Sequence, residues 1–431
     1  VDADLASLLN ASPSGSPRSL VVPAPLVEPE RLLRLDLAGD PLFWDGSAWG
    51  EHAIAARGFA ARWPLSLGAP DREIREALAR HELLGAPDAG GPRCYGGFAF
   101  HDVPSRGGWA AFGRGALVLP RLGYERHGER AWLRLNLAAD EALAGWIPML
   151  HRVRCQLAEE APTPPPRARI LDEAAAAYQG VVASAVAAIE RGEFVKLVAA
   201  RAMQVELQHP DPWATLAALR GPSLVRFALG QGPSIFLGAT PERLLTLDDA
   251  GVRTEALAGS VAAGPGAEGW LMDSAKDRHE HEVVVETIVN TLRAHRCTVE
   301  APASPAVRRL RHLLHLATPI RARPPSGASA LALAAILHPT PAVCGLPQGP
   351  AAAWLHAHEQ LERGWYAGPF GWFDALGRGT FAVALRSALI HERSALVFAG
   401  AGLVRGSTPD GELRETALKA RSMLDALGVS P

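Results

Sequence analysis

Phe194-Val195-Lys196-Leu197-Val198-Ala199-Ala200-Arg201 is an apolar run interrupted by a single ammonium group. With its continuation to Val205 it has the length and composition of a strand. The preceding residues 171–189 are rich in alanine and read as a helix, with Gly192 placed to end it. The same alternation continues outward. Residues 234–238 predict a strand, 277–292 a helix, 330–337 a short helix, 379–389 and 395–399 late strands, and 412–427 a final helix. Upstream, residues 71–84 predict a helix with Asp71 as N-cap. Cys94-Tyr95-Gly96-Gly97-Phe98-Ala99-Phe100 and residues 115–120 predict strands with glycine-permitted bends or close approaches. Helices interspersed with irregular strands predict an α/β (α+β) layered fold.

Residues 1–15 are small and polar and are expected to form a flexible N-terminus. Pro162-Thr163-Pro164-Pro165-Pro166 is too stiff for a helix interior or a central strand. It marks a connection over 161–168 between an amino-terminal half, 16–160, and a catalytic region, 169–431.

The 431 residues include 43 Lys+Arg and 45 Asp+Glu, for a formal charge of −2. That balance gives no general attraction to nucleic acid or anionic lipid. Arg308-Arg309-Leu310-Arg311-His312, continued by Arg321 and Arg323, is interleaved with Leu310, Leu313, Leu314 and Leu316. It reads as a local element with one buried side and solvated arginines. Cys94, Cys155, Cys297 and Cys344 are far apart, with no C-x-x-C pair, which argues against structural zinc and predicts reduced thiols. The first residues show no secretion signal, and no run reaches the ~18 apolar residues of a spanning helix. A cytoplasmic protein with no membrane partner is expected. There is no G-x-x-x-x-G-K-[ST], and Gly400-Ala401-Gly402 lacks the continuation of a dinucleotide loop.

Two acidic helices carry the first chemical signal. In Lys276-Asp277-Arg278-His279-Glu280-His281-Glu282, Asp277 and Glu280 are three apart and share one helical face. Glu412 and Glu415 repeat the arrangement, with Lys419 one turn further on. All-oxygen ligands facing one another suit a hard cation such as Mg²⁺. The competing reading makes Asp277 and Glu412 favourable first-turn residues and leaves Glu280 and Glu415 solvated. His-Glu-His is not the H-E-x-x-H of a metalloprotease.

The second signal is a set of charges placed against apolar strands. Lys196 loses hydration if it faces a closed interior, which lowers its pKa and suits a base; a lysine snorkelling to solvent is the alternative. Glu242 follows Gly238-Ala239-Thr240-Pro241, where Pro241 fixes the approach of the carboxylate. Arg386 ends Phe381-Ala382-Val383-Ala384-Leu385, and Tyr366 precedes Ala367-Gly368-Pro369. A guanidinium fork and a phenol suit a carboxylate ligand, and Gly400 and Gly402 let backbone N–H groups approach a planar anion.

In this order these stretches resemble the chorismate-utilising enzymes, the anthranilate synthase component I-like family, and within it the isochorismate synthases. Matching segments include Phe236-Leu237-Gly238-Ala239-Thr240-Pro241-Glu242-Arg243, Leu257-Ala258-Gly259-Ser260, residues 274–281, and His338-Pro339-Thr340-Pro341-Ala342-Val343-Cys344-Gly345. Tyr366-Ala367-Gly368-Pro369, residues 381–386, 399–402 and 412–419 complete the set. The resemblance implies one domain of two similar halves, with large antiparallel sheets layered by outer helices. It implies Mg²⁺ held mainly by Glu280 and Glu415, with Asp277 and Glu412 beside it through water. It further implies that Arg386 and Tyr366 hold the enolpyruvyl carboxylate of chorismate. Lys419 and the Gly400-Ala401-Gly402 backbone would lie near the ring carboxylate, and Ala258, Gly259, Ser260 and His338 would line the substrate site.

Amine-using relatives, the anthranilate and aminodeoxychorismate synthases, commonly carry glutamine at the place of Lys196 or a nucleophilic lysine at that of Ala258. Lysine and alanine here imply water as nucleophile, with Lys196 as base, Glu242 as acid, and no obligatory amidotransferase subunit. The implied reaction is the reversible isomerisation of chorismate to isochorismate by a monomer or homodimer. A salicylate synthase, which goes on to eliminate pyruvate, is the alternative. His315 is read either as a ring contact or as a structural histidine. Two departures stand out: Val261-Ala262-Ala263-Gly264 lacks the arginines common in relatives, and the turn 405–411 is altered.

Overall fold

In the computed structural model, which describes residues 15–159, 166–309 and 313–429, the lysine-bearing run becomes the long strand Lys196–His209. It pairs along its length with Ser394–Leu403 and belongs to one continuous, almost wholly antiparallel sheet that runs in two arms. The first arm passes from Lys196–His209 through Ser394–Leu403, Ser387–His391, Ser234–Thr240, Val225–Gln231 and Pro41–Asp45. It continues through Ala53–Pro64, Gly115–His127, Arg130–Leu137 and Arg18–Pro23. The second arm leaves the start of Gly115–His127 through Arg93–Phe98, Pro369–Asp374, Gly379–Val383, Arg243–Asp248, Gly251–Ala262 and Leu313–Arg323.

The chain changes arms at two adjacent corners. Pro241-Glu242 joins Ser234–Thr240 to Arg243–Asp248, and residues 384–386 join Gly379–Val383 to Ser387–His391. The corners are tied together, because Val383 N–H donates to the Glu242 carbonyl at 3.0 Å. The expected single strand over 379–389 is therefore two strands. The break falls where Arg386 adopts a left-handed backbone (φ 47), a conformation that turns the chain out of one arm and into the other.

One apolar core fills the space between the arms, built on Trp44, Phe227, Phe236, Phe370, Phe381 and Phe398. The Phe227 and Phe370 rings stack at 4.9 Å. A second core lies under Ile147–Leu157, Pro212–Ala218 and Pro409–Ala426. On the second arm, Ala275–Ala294 packs Val284, Ile288 and Leu292 onto Gly251–Ala262. The expected antiparallel sheet with helices layered on it is the architecture found.

Several local expectations are corrected. The helix at 71–84 is Arg72–Ala79, Asp71 makes no side-chain cap, and Glu82–Gly85 instead forms an edge strand parallel to Arg18–Pro23. The helix expected from 171 begins at Ala175, because Arg167–Asp172 is first drawn into the sheet beside Lys196–His209. Gly192 (φ 79) follows that helix as expected. The strands of 16–160 are hydrogen-bonded to those of 169–431 at Pro41–Asp45 with Val225–Gln231 and at Arg93–Phe98 with Pro369–Asp374. Residues 1–14, 160–165, 310–312 and 430–431 lie outside the described residues, and with them the expected flexible N-terminus, most of the Pro-rich connection and the middle of the basic stretch. Arg308 is not simply solvated: it is ion-paired to Glu255 at 2.6 Å. Among the described residues no helix is long and apolar enough to cross a membrane, and all four cysteines are free.

Candidate active site

The two corners, the mouth-side ends of Lys196–His209 and Ser394–Leu403, and the helices Ala275–Ala294 and Pro409–Ala426 enclose a cavity of ≈ 350 Å³. Its wall brings together Lys196, Glu242, Ala258, Gly259, Ser260, Asp277, Glu280, Tyr366, Arg386, Gly400, Gly402, Glu415 and Lys419. These come from segments more than two hundred residues apart and converge because both corners and both acidic helices end there.

Three expected residues do not line the cavity wall. Ala401 points to the other side of the strand between Gly400 and Gly402 and is fully buried, as the two-residue alternation requires. His338 caps Ala330–Leu337, and its Nε2 meets the Phe100 carbonyl oxygen at 3.1 Å. Burial draws its pKa down to about 4, so it is a neutral structural histidine. Glu412 is buried behind Glu415 in the first turn of its helix and hydrogen-bonds Ser407.

Lys196 is 2% exposed and does not snorkel; its Nζ donates to Glu280 Oε1 at 2.6 Å. Burial would raise the Glu280 pKa, but the charges of Lys196 and then Lys419 hold it below the usual value. Lys419 repeats the pairing on the other helix, 2.7 Å from Glu415 Oε1, and also donates to the Gly400 carbonyl at 3.1 Å. Glu242 is different. Burial and the charge of Glu255 push its carboxyl up to about 7, against Lys196, Lys419 and Arg386. A carboxyl that retains its proton near neutrality is a ready proton donor.

Backbone shape makes room for these groups. A Cβ on Gly402 would lie 2.8 Å from Glu280 Oε1, and one on Gly400 would lie 3.0 Å from the Tyr366 hydroxyl. A bulge in Gly251–Ala262 centres on Gly259 (φ 73) and turns Ser260 Oγ to within 2.7 Å of His315 Nδ1. Burial drives the His315 pKa down to about 3, so it stays neutral on the cavity wall. Tyr366 stacks on Phe398 at 5.1 Å, which fixes its phenol beside Gly400.

The acidic positions can be tested for a divalent cation. Among the described residues no three carboxylate, imidazole or thiol groups already converge on one point, since Glu280 and Glu415 each hold a lysine. Yet Glu412 Oε2 is buried without a partner, and burial together with the Glu415 charge raises its pKa. Asp277, bonded to the Ser274 hydroxyl, lines the same cavity. An all-oxygen set with one buried oxygen left unpartnered fits a hard cation.

A brace that sequence reasoning missed lies beneath this wall. Arg363 and Glu359 form an ion pair with both side chains 1% exposed. Arg363 also donates to the carbonyls of Val343 and Val198, while Glu359 accepts from Ala200 N–H, so the pair locks the lysine strand to the cavity wall. Glu359 and Arg363 are four apart, the spacing of an ordinary surface pair, and only their nearness to Tyr366 signals more. Glu359→Gln leaves a buried guanidinium uncompensated and is expected to cost about 3–5 kcal/mol of stability. Denaturant titration reads this directly, and an unchanged midpoint would refute the bracing role.

A buried acid, two ion-paired lysines, a buried guanidinium and paired acidic helices around one small cavity define an enzyme for a compact anionic ligand. Residues 21–428 match the model of the family described as chorismate binding enzyme, and the chain belongs to that family. It is 40% identical over 354 residues to the salicylate biosynthesis isochorismate synthase of Pseudomonas aeruginosa, covering 78% of this chain and 74% of that one. It is 34% identical over 361 residues to the isochorismate synthase MenF of Bacillus subtilis, covering 78% and 75%. The structure of MenF, the menaquinone-specific isochorismate synthase from Escherichia coli, superposes with a TM-score of 0.81 at 29% identity, covering 99% and 98%.

Proposed function

We propose that this protein is an isochorismate synthase that converts chorismate reversibly to isochorismate. The observation that carries the reading is the protonatable Glu242 lining the same cavity as the buried amine of Lys196. Water adds at ring carbon C2, the double bond shifts, and the C4 hydroxyl departs. Lys196 takes the proton from the attacking water, and Glu242 gives its proton to the leaving hydroxyl, so water is both consumed and released. Each transfer is worth about 10²–10⁴ in rate.

Arg386 is suited to the enolpyruvyl carboxylate. Burial draws its pKa down to about 10, with Glu242 opposing the shift, and it remains a cation at neutral pH. Tyr366 adds a hydroxyl donor, and Lys419 with the Gly400 and Gly402 backbone faces the ring carboxylate. Mg²⁺ is the cation we assign to Glu280 and Glu415, with Asp277 and Glu412 alongside; when bound it neutralises the ring carboxylate and fixes the ring's orientation. Lys196 and Glu280 share one hydrogen bond at 2.6 Å, so the base and an assigned ligand stand side by side on the cavity wall. No amidotransferase subunit is required, because ammonia is not a reactant.

The test is to incubate the purified protein with chorismate and Mg²⁺ and resolve the products chromatographically. Isochorismate at equilibrium with chorismate is expected. Salicylate with pyruvate would instead establish a salicylate synthase, and dependence on ammonia an amine-using enzyme. Glu415→Gln is expected to raise the Mg²⁺ concentration for half-maximal activity about 10–100-fold. An unchanged Mg²⁺ response would remove the two-helix metal site from the account.

A further inference from the structure

We propose that Trp270 is a substrate-contacting residue whose indole closes the mouth of the catalytic cavity over the ring of bound chorismate; this rests on the isochorismate synthase reading above. Trp270 is 58% exposed, although it is among the largest apolar side chains of the protein. Among the described residues it is the sole exposed large hydrophobic that also lines the catalytic cavity. An indole left half in water at the rim of a site for a cyclic ligand has an obvious partner: the face of the ring that the cavity leaves uncovered.

The carrier of Trp270 is built to move without disturbing the protein's main cores. Ala267–Asp273 is a seven-residue helix anchored by Ala267 and Leu271 on Leu314 and Leu316, a small cluster separate from both large ones. The chain enters it through Gly264-Pro265-Gly266. Gly266 has φ +74, and nothing lies within 4 Å of a Cβ built on Gly264, Gly266 or Gly269. It leaves through Ser274, whose extended backbone ends this helix and whose side chain caps Ala275–Ala294. A short helix held by its own small apolar cluster, with open space around its glycines, is a segment that repositions without unpacking the large cores.

The chemistry gives the closure a use. The polar groups described above hold the two carboxylates of chorismate from within, which leaves an apolar ring face toward the mouth. Covering that face with indole removes bulk water from a site that must admit one reacting water and exclude the rest. Truncating the indole therefore lowers substrate affinity and leaves the acid and base in place.

The experiment compares wild type with Trp270→Phe and Trp270→Ala. Acrylamide quenching of tryptophan emission is measured with and without chorismate plus Mg²⁺, and turnover is assayed in parallel. In the wild type, ligand is expected to protect the most accessible tryptophan from quenching, and Trp270→Phe should show no such ligand-dependent change. Trp270→Ala should raise KM for chorismate about tenfold, with a smaller effect on kcat and with KM largely recovered in Trp270→Phe. Because Trp270 is exposed, the variants should keep the wild-type thermal midpoint, which separates lost contact from lost fold. A wild type that turns over chorismate without protecting Trp270, or Trp270→Ala with unchanged KM, overturns the inference alone. A wild type that does not convert chorismate overturns the functional reading and the inference with it.

Discussion

Lys196→Ala is expected to lower kcat for chorismate isomerisation by about 10²–10⁴ while leaving the protein folded. The expectation follows from where the amine lies. It is buried at the start of the strand Lys196–His209, and its ion-pair partner among the described residues is Glu280. Of the other two amines on the cavity wall, Lys419 is already committed to Glu415 and the Gly400 carbonyl, and Lys276 stands in the first turn of an acidic helix rather than on the lysine strand. Removing Lys196 also deprives Glu280 of its nearest positive charge, which raises the cost of keeping that carboxylate ionised without metal. The variant should therefore lose more thermal stability in chelator than in excess Mg²⁺. Turnover near the wild-type rate in Lys196→Ala would remove the base from the mechanism.

Glu242→Gln is the second large loss, again about 10²–10⁴ in kcat, and it carries a pH signature. The general acid works only when protonated. With its pKa raised to about 7 by burial and by Glu255, its active fraction falls as pH rises through neutrality. The wild-type kcat/KM, which reports groups of the free enzyme, should accordingly show a descending limb near pH 7, and that of Glu242→Gln should lack it. Glu255→Gln removes one of the two causes that raise the Glu242 pKa, so the limb should move to lower pH while the reaction stays the same. A wild-type profile flat from pH 6 to 9, about the window in which such a group must titrate, would contradict the assignment.

Much of this arrangement was legible in the order of residues. Lys196 in an apolar strand, Glu242 after a proline, and paired carboxylates at helical spacing all lie in the elements expected for them. They are readable because each rests on local periodicity. What was not legible depends on tertiary pairing. Nothing local marks Arg386 as a left-handed corner residue, since its conformation is imposed by the change of arm beside Glu242. Glu359 and Arg363 resemble a surface pair until Val198, Ala200 and Val343 close over them. Ala401 shows the opposite error. Membership in a motif suggested contact with the cavity, whereas strand alternation turns it away and buries it.

Mass spectrometry of the product formed from chorismate in oxygen-18-labelled water tests the central claim most directly. If the Lys196–Glu242 cavity adds solvent at C2 and expels the C4 hydroxyl, isochorismate will carry one labelled oxygen, located on the ring hydroxyl. Isochorismate formed without label would mean that the hydroxyl migrates within the substrate, and the acid–base account would be wrong.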